Sequence, residues 1–496
     1  MPSRNSESPE VKSKELEFLA SALTVSNSRM RSQDFMQWLE DRRRAHQFKV
    51  REIPFDELQD WGFEQSTGNL VHASGKFFSI EGIWVSTNFG PVRQWSQPII
   101  VQPETGILGI LAERFDGILH FLMQAKMEPG NIDSVQLAPT VQATRSNFTR
   151  VHRGKTPPYL DYFLDLTESR VLVDVLQSEQ GARFLRKRNR NIIVETAAEV
   201  PVLDDYCWLT LGQIGQLARQ DNIVNMDART VLSCIPLAAP ELQGVAAGDL
   251  CSEVARLTSA GPDMRLGSLE GFAADRLASL AGPERSAHSL DEILQWLTQL
   301  KCRYELEVER IPLKFVQNWR RTDMQIEHED GNFFAVIAAS VEADNREVTR
   351  WTQPLVKPCQ EGIVAYLVKK IDGVLHFLVQ AKVEPGNFDV VEIAPTVQCI
   401  TGSYQRVEPS ERPPFVEYVL NAPSGQVRYS ALQSEEGGRF FREQNRNIVV
   451  EVDEGFPLDV PDNYLWVTER QLRQLVKFNN YVNVEGRCLL SCLGYV

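Results

Sequence analysis

The chain has no stretch of 18 consecutive apolar residues, no Cys-x-x-Cys pair among its eight cysteines, and no His-Glu-x-x-His or similar cluster among its seven histidines. The first absence removes a membrane-spanning helix. The others argue against a disulfide framework or a structural zinc, so reduced thiols and no metal are expected. There is no Gly-x-Gly-x-x-Gly after a strand-like run and no Walker loop, which leaves dinucleotide or ATP chemistry without support. The opening MPSRNSESPEVKSKE has no apolar core of a signal peptide, and the cytoplasm is the expected compartment. Positive charge is in deficit, with 52 Lys and Arg against 66 Asp and Glu and a formal net charge of −14. That balance disfavours broad contact with phosphate backbones or anionic lipid, so neither nucleic acid nor membrane is an expected partner.

What is present is a doubling. DGILHFLMQAKMEPGN at 116–131 returns as DGVLHFLVQAKVEPGN at 372–387, identical at 13 of 16 positions with a spacing of 256. Paired landmarks extend the match: Trp38/Trp296, Trp61/Trp319, Trp95/Trp351, QSEQGARFLRKRNRN (177–191) against QSEEGGRFFREQNRN (433–447), Trp208/Trp466, Asn225/Asn483 and Cys234/Cys492. A unit of about 200 residues is long enough to be a domain with its own core. Residues 1–30, polar and without a sustained period, read as a flexible extension or a loosely docked arm. The two units are 31–236 and 289–496, and 237–288 reads as a linker with short helices that corresponds to nothing inside either copy. Each unit opens with a helix around Gln-Trp-Leu and an Ile-Pro turn. Strand-like runs follow, then one strong helix over the QSEQG or QSEEG segment, a last strand at 191–195 or 447–451, and a C-terminal helix. Strands in series with few helices indicate an α+β fold.

Alternation in the doubled strand puts Leu119, Phe121, Met123 and Ala125 on one face and His120, Gln124 and Lys126 on the other, with Glu128 in the turn that follows. The second copy repeats these as His376, Gln380, Lys382 and Glu384. An imidazole, an amide, an amine and a carboxyl together supply acid, base and donor groups for a polar pocket. The competing reading is the solvated face of an amphipathic strand; retention of all four types in both copies weighs against it. His72 and His328, each three residues before a glycine, read as loop histidines.

Beyond the strand, Thr144, Arg145, Ser146, Asn147 and Phe148 in one copy and Thr401, Gly402, Ser403 and Tyr404 in the other offer hydroxyls, amides and turn geometry suited to a phosphate or a sugar. Ser178 and Ser434 are placed as N-caps of the expected helix, where free N–H groups favour an anion. Arg183, Arg186 and Arg190, matched by Arg439, Arg442 and Arg446, fall at helical spacing as a basic stripe. That stripe is either a solvated face or a set of guanidinium forks for a pyrophosphate, to which Arg183 and Arg439 are assigned. Trp61 and Trp319 are candidates to stack on a planar base, with core packing as the alternative.

These blocks together (the Gln-Trp-Leu opening, RQWSQP, GILHFLMQAKMEPGN, APTVQAT, LQSEQGARFLRKRNRN and the late Trp) resemble the NDP-hexose 2,3-dehydratase family of deoxysugar biosynthesis, from about Asp34 to the C-terminus. The resemblance implies two tandem Nudix-like α+β domains, a homodimer and the substrate dTDP-4-keto-6-deoxy-glucose. It also implies a nucleotide-sugar pocket in each half, only one of them catalytic. No cofactor is implied, because a C4 ketone acidifies the C3 proton and makes the C2 hydroxyl a leaving group. The product is a 3,4-diketo-2,6-dideoxy sugar, which a downstream 3-ketoreductase would consume. A Nudix hydrolase would need metal-binding glutamates on its helix, and SEQGARFLRKRNRN has arginines there. The expected chemistry falls to His120, Gln124, Lys126 and Glu128, with Lys126 stabilising the enolate and His120 or Glu128 as base. The first copy, with the richer polar set, is taken as the active one. A purely binding protein and a nucleoside-diphosphate-sugar hydrolase are the rival readings.

Overall fold

The computed structural model describes residues 13–26, 29–144, 157–245, 249–258, 271–282, 285–344, 348–405 and 407–494. Each half builds one seven-stranded mixed sheet. In the first, the path runs Ser169–Ser178, Arg188–Thr196, Gly106–Phe115, Ile118–Met127, Tyr206–Leu209, with two short strands, Val135–Ala138 and Val141–Ala143, attached to its centre. Arg188–Thr196 is parallel to Gly106–Phe115, and the other pairings are antiparallel. The second half repeats this order with Val427–Ser434, Gln444–Glu451, Gly362–Ile371, Val374–Lys382 and Tyr464–Thr468. The α+β class expected from the sequence is the observed one.

The doubled block begins as a hairpin because Asp-Gly is the pair that best tolerates two consecutive positive φ angles. Asp116 and Gly117 lie at φ 51° and 82°, Asp372 and Gly373 at 49° and 81°, and Phe115 pairs directly with Ile118 across the turn. The strand that follows is buried on both faces rather than one. Phe121, Met123 and Ala125 join the main core, and Leu122 packs with Trp208 in a second cluster.

Part of the cover over that strand comes from a helix where a flexible extension is expected. Lys14–Leu23 is capped by Ser13, whose hydroxyl accepts from the Leu16 N–H at 3.2 Å, and it buries Leu16, Phe18, Leu19 and Leu23. The acidic residues of its first turn hide an apolar face, which corrects the flexible extension for residues 13–26 and leaves the docked arm, packed rather than loose; residues 1–12 and 27–28 lie outside the described set. Its counterpart is Gly271–Ala281, inside the expected linker. Leu19-Ala20-Ser21 and Leu277-Ala278-Ser279 match at a spacing of 258. Ser21 donates to the Leu119 carbonyl at 2.7 Å, and Ser279 accepts from the Leu375 N–H at 3.0 Å. The linker therefore contains the first helix of the second unit.

The halves are not separate bodies. Phe48–Ile53 of the first half pairs antiparallel with Phe334–Ala343 of the second, and Leu306–Ile311 of the second pairs with Ser79–Thr87 of the first. Each small five-stranded sheet thus contains one strand from the other repeat. A reciprocal clasp closes the seam. In one direction the Gly130 N–H donates to the Gly437 carbonyl at 2.7 Å and the Arg442 N–H to the Gly130 carbonyl at 2.8 Å. In the other, Gly386 donates to Gly181 and Arg186 to Gly386, both at 2.7 Å. A side chain at Gly130 would place its Cβ 1.5 Å from the Phe440 carbonyl oxygen, and one at Gly386 would lie 1.7 Å from that of Phe184. The Pro-Gly of each doubled block is the joint between halves.

The same joint overturns the strong helix expected over 177–191 and 433–447. Ser178 and Ser434 end strands, and the residues that follow form a tight connection into the next strand. Arg186 and Arg442 sit at φ 49° and 52°, incompatible with a continuing helix. The helical spacing of arginines is real in the sequence, but docking against the other half overrides it.

Candidate active site

The end of strand Ile118–Met127 delivers Lys126 and, one residue past it, Glu128 to a cavity of about 790 Å³. Both side chains are buried, with Lys126 Nζ 3.6 Å from Glu128 Oε1. The second oxygen of Glu128 is buried with no hydrogen-bond partner among the described residues. Such an acceptor is costly unless something occupies it.

Neighbouring strands complete the floor. Asn189, at the start of Arg188–Thr196, accepts the Gly106 N–H at 3.0 Å and donates to Glu179 Oε1 at 2.5 Å. Gly106 is required there, since a Cβ would lie 2.8 Å from Asn189 Oδ1. Lys187 donates to the Glu104 carbonyl, and Gln142 donates to the carboxylate of Asp227 near the start of helix Met226–Ser233. The other half contributes Glu436, Arg439, Arg350 and Trp351, so the site exists only in the interlocked chain. One wall is aromatic. Trp61 meets His72 edge-on at 5.2 Å and Phe78 at 4.9 Å, while the Arg439 guanidinium lies 4.2 Å over the Phe78 ring.

Electrostatics divide this lining into roles. Burial pushes the Glu436 carboxyl up to about 7, with Arg439 opposing and Glu128 reinforcing. Burial raises Asp227 and Glu179 as well, the latter against Lys187, Arg487 and the Asn189 hydrogen bond. Burial also pushes the Lys187 ammonium down, against the pull of Glu179. The Glu436 carboxyl near 7 beside the side chain of Glu128 sets two carboxyl groups side by side, the pairing that acid and base work needs.

Of the residues singled out from the sequence, Lys126, Glu128, Trp61, Thr144 and Arg439 line this cavity. His120 and Gln124 do not. His120 turns back to its own chain, Nδ1 2.9 Å from the Ile118 carbonyl and ring edge-on to Phe115 at 5.1 Å, and burial lowers its pKa. Full cover of both strand faces is the physical reason that strand alternation did not sort core from pocket. Ser178 and Ser434 are seam residues rather than helix caps. Ser178 donates to Glu392 Oε2 at 3.0 Å and its carbonyl accepts from the buried Arg487 at 2.7 Å, while the Ser434 carbonyl accepts from Arg229. Arg145, Ser146, Asn147 and Phe148 lie outside the described residues.

Glu179, Lys187, Asn189, Asp227 and Glu436 were missed. Glu179, Lys187, Asn189 and Glu436 lie in the doubled segments read as helices, and the pairs Glu179/Glu435 and Asn189/Asn445 were their visible signal. His72, read as a loop histidine, is on the cavity wall.

The second half gathers the equivalent cluster. Lys382 donates to the Gln398 carbonyl at 2.9 Å, Gln398 to Glu384 Oε1 at 3.1 Å, and Asn445 to Glu435 Oε1 at 2.5 Å. Gln180 of the first half donates to Glu435, and Arg183 acts electrostatically on Glu384, Glu435 and Glu443. Trp319 meets His328 at 5.5 Å and Phe334 at 4.7 Å, repeating the aromatic wall. His376 and Gln380 stand apart from this cluster: His376 accepts the Ala287 N–H at 3.0 Å, and Gln380 donates to the Pro395 carbonyl at 2.9 Å. Thr401 caps the end of a strand by donating to the Glu361 carbonyl at 2.5 Å. Gly402 donates to Gln360, Ser403 follows it in the short helix Gly402–Gln405, and Tyr404 is buried in the apolar core.

Comparison with known proteins agrees with this doubled architecture. The chain is 50% identical over 480 residues to a dTDP-4-dehydro-6-deoxy-alpha-D-glucopyranose 2,3-dehydratase of Saccharopolyspora spinosa, covering 96% of this chain and 94% of the relative. Relatives of the same description from Amycolatopsis orientalis (48% over 479 residues, 96% and 92% covered) and Streptomyces violaceoruber (44% over 462 residues, 92% and 96% covered) also match. The family model described as NDP-hexose 2,3-dehydratase matches twice, at residues 32–235 and 290–493, and the chain belongs to that family.

Proposed function

We propose that this chain is a carbon–oxygen hydro-lyase acting on dTDP-4-keto-6-deoxy-glucose, and that it works in the first-half cavity. The observation that carries the assignment of the site is the buried Lys126–Glu128 pair, with one Glu128 oxygen unpartnered among the described residues, in one cavity with Glu436 from the other half. The relatives are named for this substrate, and the cavity has room for a sugar nucleotide, with an aromatic wall for a base and cations for phosphates.

In the reaction, Glu128 takes the C3 proton, and the electron pair delocalises onto the C4 oxygen, where Lys126 stabilises it. The enolate then collapses to a C2–C3 double bond as the C2–O bond breaks. Glu436, protonated near neutrality, gives its proton to the departing hydroxyl, which leaves as water. The C3 enol takes a proton at C2 and gives up its hydroxyl proton, becoming the 3-ketone with no net change in protons. No electrons are exchanged with another molecule, so the step balances without a redox partner. Trp61 and Phe78 hold the base, and Lys187 and Arg439 face the diphosphate. Thr144 and its neighbours Arg145–Phe148 are assigned to the sugar. The enzyme is taken to be a cytoplasmic homodimer that passes its labile diketone to a 3-ketoreductase.

Incubation with dTDP-4-keto-6-deoxy-glucose and a 3-ketoreductase trap, followed by mass analysis, tests this. The expected result is loss of 18 mass units as water, followed by reduction (~18 from the chemistry of dehydration). Recovery of unchanged substrate would leave a purely binding role, and release of nucleoside monophosphate would indicate hydrolysis.

A further inference from the structure

We propose that Asn225 holds the Gln142 side chain in one polarity, so that Gln142 Nε2 donates a hydrogen bond to the substrate's C4 oxygen as the enolate forms. This rests on the reading above, in which Glu128 takes the C3 proton and Lys126 faces the C4 oxygen. It adds a second donor at that oxygen and the residue that aims it.

The direction of the amide follows from the backbone. Asn225 is the N-cap of helix Met226–Ser233, and its Oδ1 accepts from the Ala228 N–H at 2.8 Å. A backbone N–H only donates, so the oxygen of Asn225 faces the helix and its Nδ2 faces away. Nδ2 in turn donates to Gln142 Oε1 at 3.4 Å. With its oxygen engaged, Gln142 presents Nε2 to the cavity it lines, where one hydrogen goes to Asp227. Among the described residues Nε2 has no second acceptor, which leaves its other hydrogen for a ligand.

The second half contains the same series of donors. Asn483 caps helix Val484–Cys492 by accepting the Gly486 N–H at 3.0 Å, and its Nδ2 donates to Gln398 Oε1 at 2.7 Å. There the amide donates at 3.1 Å to Glu384, the counterpart of Glu128, whereas Gln142 donates to Asp227. Together the copies show the arc that this amide covers, from the carboxyl at the helix start to the glutamate of the doubled turn. Lys382 Nζ donates to the Gln398 backbone carbonyl at 2.9 Å, so the lysine of the doubled strand reaches the same residue. Carried to the first half, these contacts set the unused Gln142 hydrogen beside Lys126 and Glu128, where negative charge develops on the C4 oxygen. A donor whose own carbonyl is already engaged is polarised and in place before the reaction.

Steady-state kinetics in the coupled 3-ketoreductase assay test this by reading kcat and KM separately. Gln142→Met removes the amide at constant length and charge, and is expected to lower kcat by about 10²–10³-fold with KM within about threefold. Asn225→Gly, which a helix start tolerates, removes the donor to Gln142 and should give a loss of the same order, about 10²-fold. Introduced into Gln142→Met, Asn225→Gly should lower kcat by less than about threefold further, whereas a general disturbance of the helix would persist there. Circular dichroism checks that each variant is folded. Should Asn225→Gly fail to fold, Asn225→Asp is read in its place, since the helix start holds its carboxylate ionised and without a hydrogen to donate. A kcat within threefold of wild type in folded Gln142→Met overturns the proposal, as do additive losses in the double variant. A rise in KM with kcat unchanged does so too, because it places Gln142 in ground-state binding. The two readings fail separately. If Lys126→Ala and Glu128→Gln leave kcat/KM unchanged, the reaction is not run from this cavity and both fall. If those two lower it and Gln142→Met does not, only the relay falls.

Discussion

The first-half cavity and its second-half counterpart were built from one ancestral unit, and they diverged unevenly. The seam between halves is nearly symmetric: Gly130 and Gly386 make the same clasp, Arg229 and Arg487 reach Ser434 and Ser178, and Phe184 meets Phe440 at 5.8 Å. The sites keep Lys, Glu and Asn in register yet differ in type where Lys187 corresponds to Glu443 and Gln180 corresponds to Glu436. Joint residues are held in pairs because each clasp buries backbone groups that need partners. A pocket lining has no such obligation once its twin does the work. Retention in both copies therefore marks two things, a joint and a site, and only the structure separates them.

Activity should break the symmetry most strongly. Lys126→Ala and Glu128→Gln are each expected to lower kcat/KM by about 10²–10⁴-fold, measured by the trapped, mass-detected assay. Lys382→Ala and Glu384→Gln should cost less than about tenfold by the same criterion. Equal losses in the two sets would mean that both clusters turn over substrate. Stability should keep the symmetry. Gly130→Ala and Gly386→Ala each drive a Cβ into a backbone carbonyl of the opposite half, and both should destabilise by about 3 kcal/mol or more in urea unfolding. If one is tolerated and the other not, the clasp is not the shared joint described above.

A smaller effect sharpens the charge comparison through pH. Burial raises the Glu443 carboxyl from its ordinary 4.5 to about 7, against the pull of Arg183. Between those values the folded state holds a proton that the unfolded state has released, so this group's contribution is full below about 4.5 and is lost as pH rises through about 7. Glu443→Gln, neutral throughout, should match wild type near pH 5 and exceed it by about 1–3 kcal/mol near pH 8. A pH-independent difference would show that Glu443 is not held neutral in the fold.

Much of this was legible locally. Asp-Gly between apolar runs encodes the hairpin, the Gln-Trp-Leu helices form at Ser32–Ala45 and Leu290–Arg303, and strands form over 191–195 and 447–451, although the further strands Tyr206–Leu209 and Tyr464–Thr468 follow where none was expected. The unread parts are non-local. Nothing within Phe48–Ile53 says that its partner is 290 residues away, and the arginine spacing of 183–190 satisfies a helix until Arg186 must meet Gly386. Lys126 and Glu128 could be found because they sit at a strand end before a turn. Glu436 could not, because its place in the first cavity depends on the interlock.

The smallest predicted effect bears on the residue that alternation favoured most. His120 shares a strand with Lys126 and is matched by His376, yet its Nδ1 is engaged by the Ile118 carbonyl and its Nε2 is buried with no hydrogen-bond partner among the described residues. Phe115 packs against its ring, and burial holds it in the neutral form. His376 instead accepts from the Ala287 N–H, so the two imidazoles have different surroundings and no shared ligand. His120→Phe keeps ring and volume and loses one hydrogen bond, which should cost about 0.5–1.5 kcal/mol of stability. Its kcat/KM should stay within about threefold of wild type, because proton transfer by Glu128 is untouched. A general base at this position would instead forfeit about 10²–10⁴-fold. A loss of that size with the fold intact would return the base to the strand face and remove Glu128 from that role.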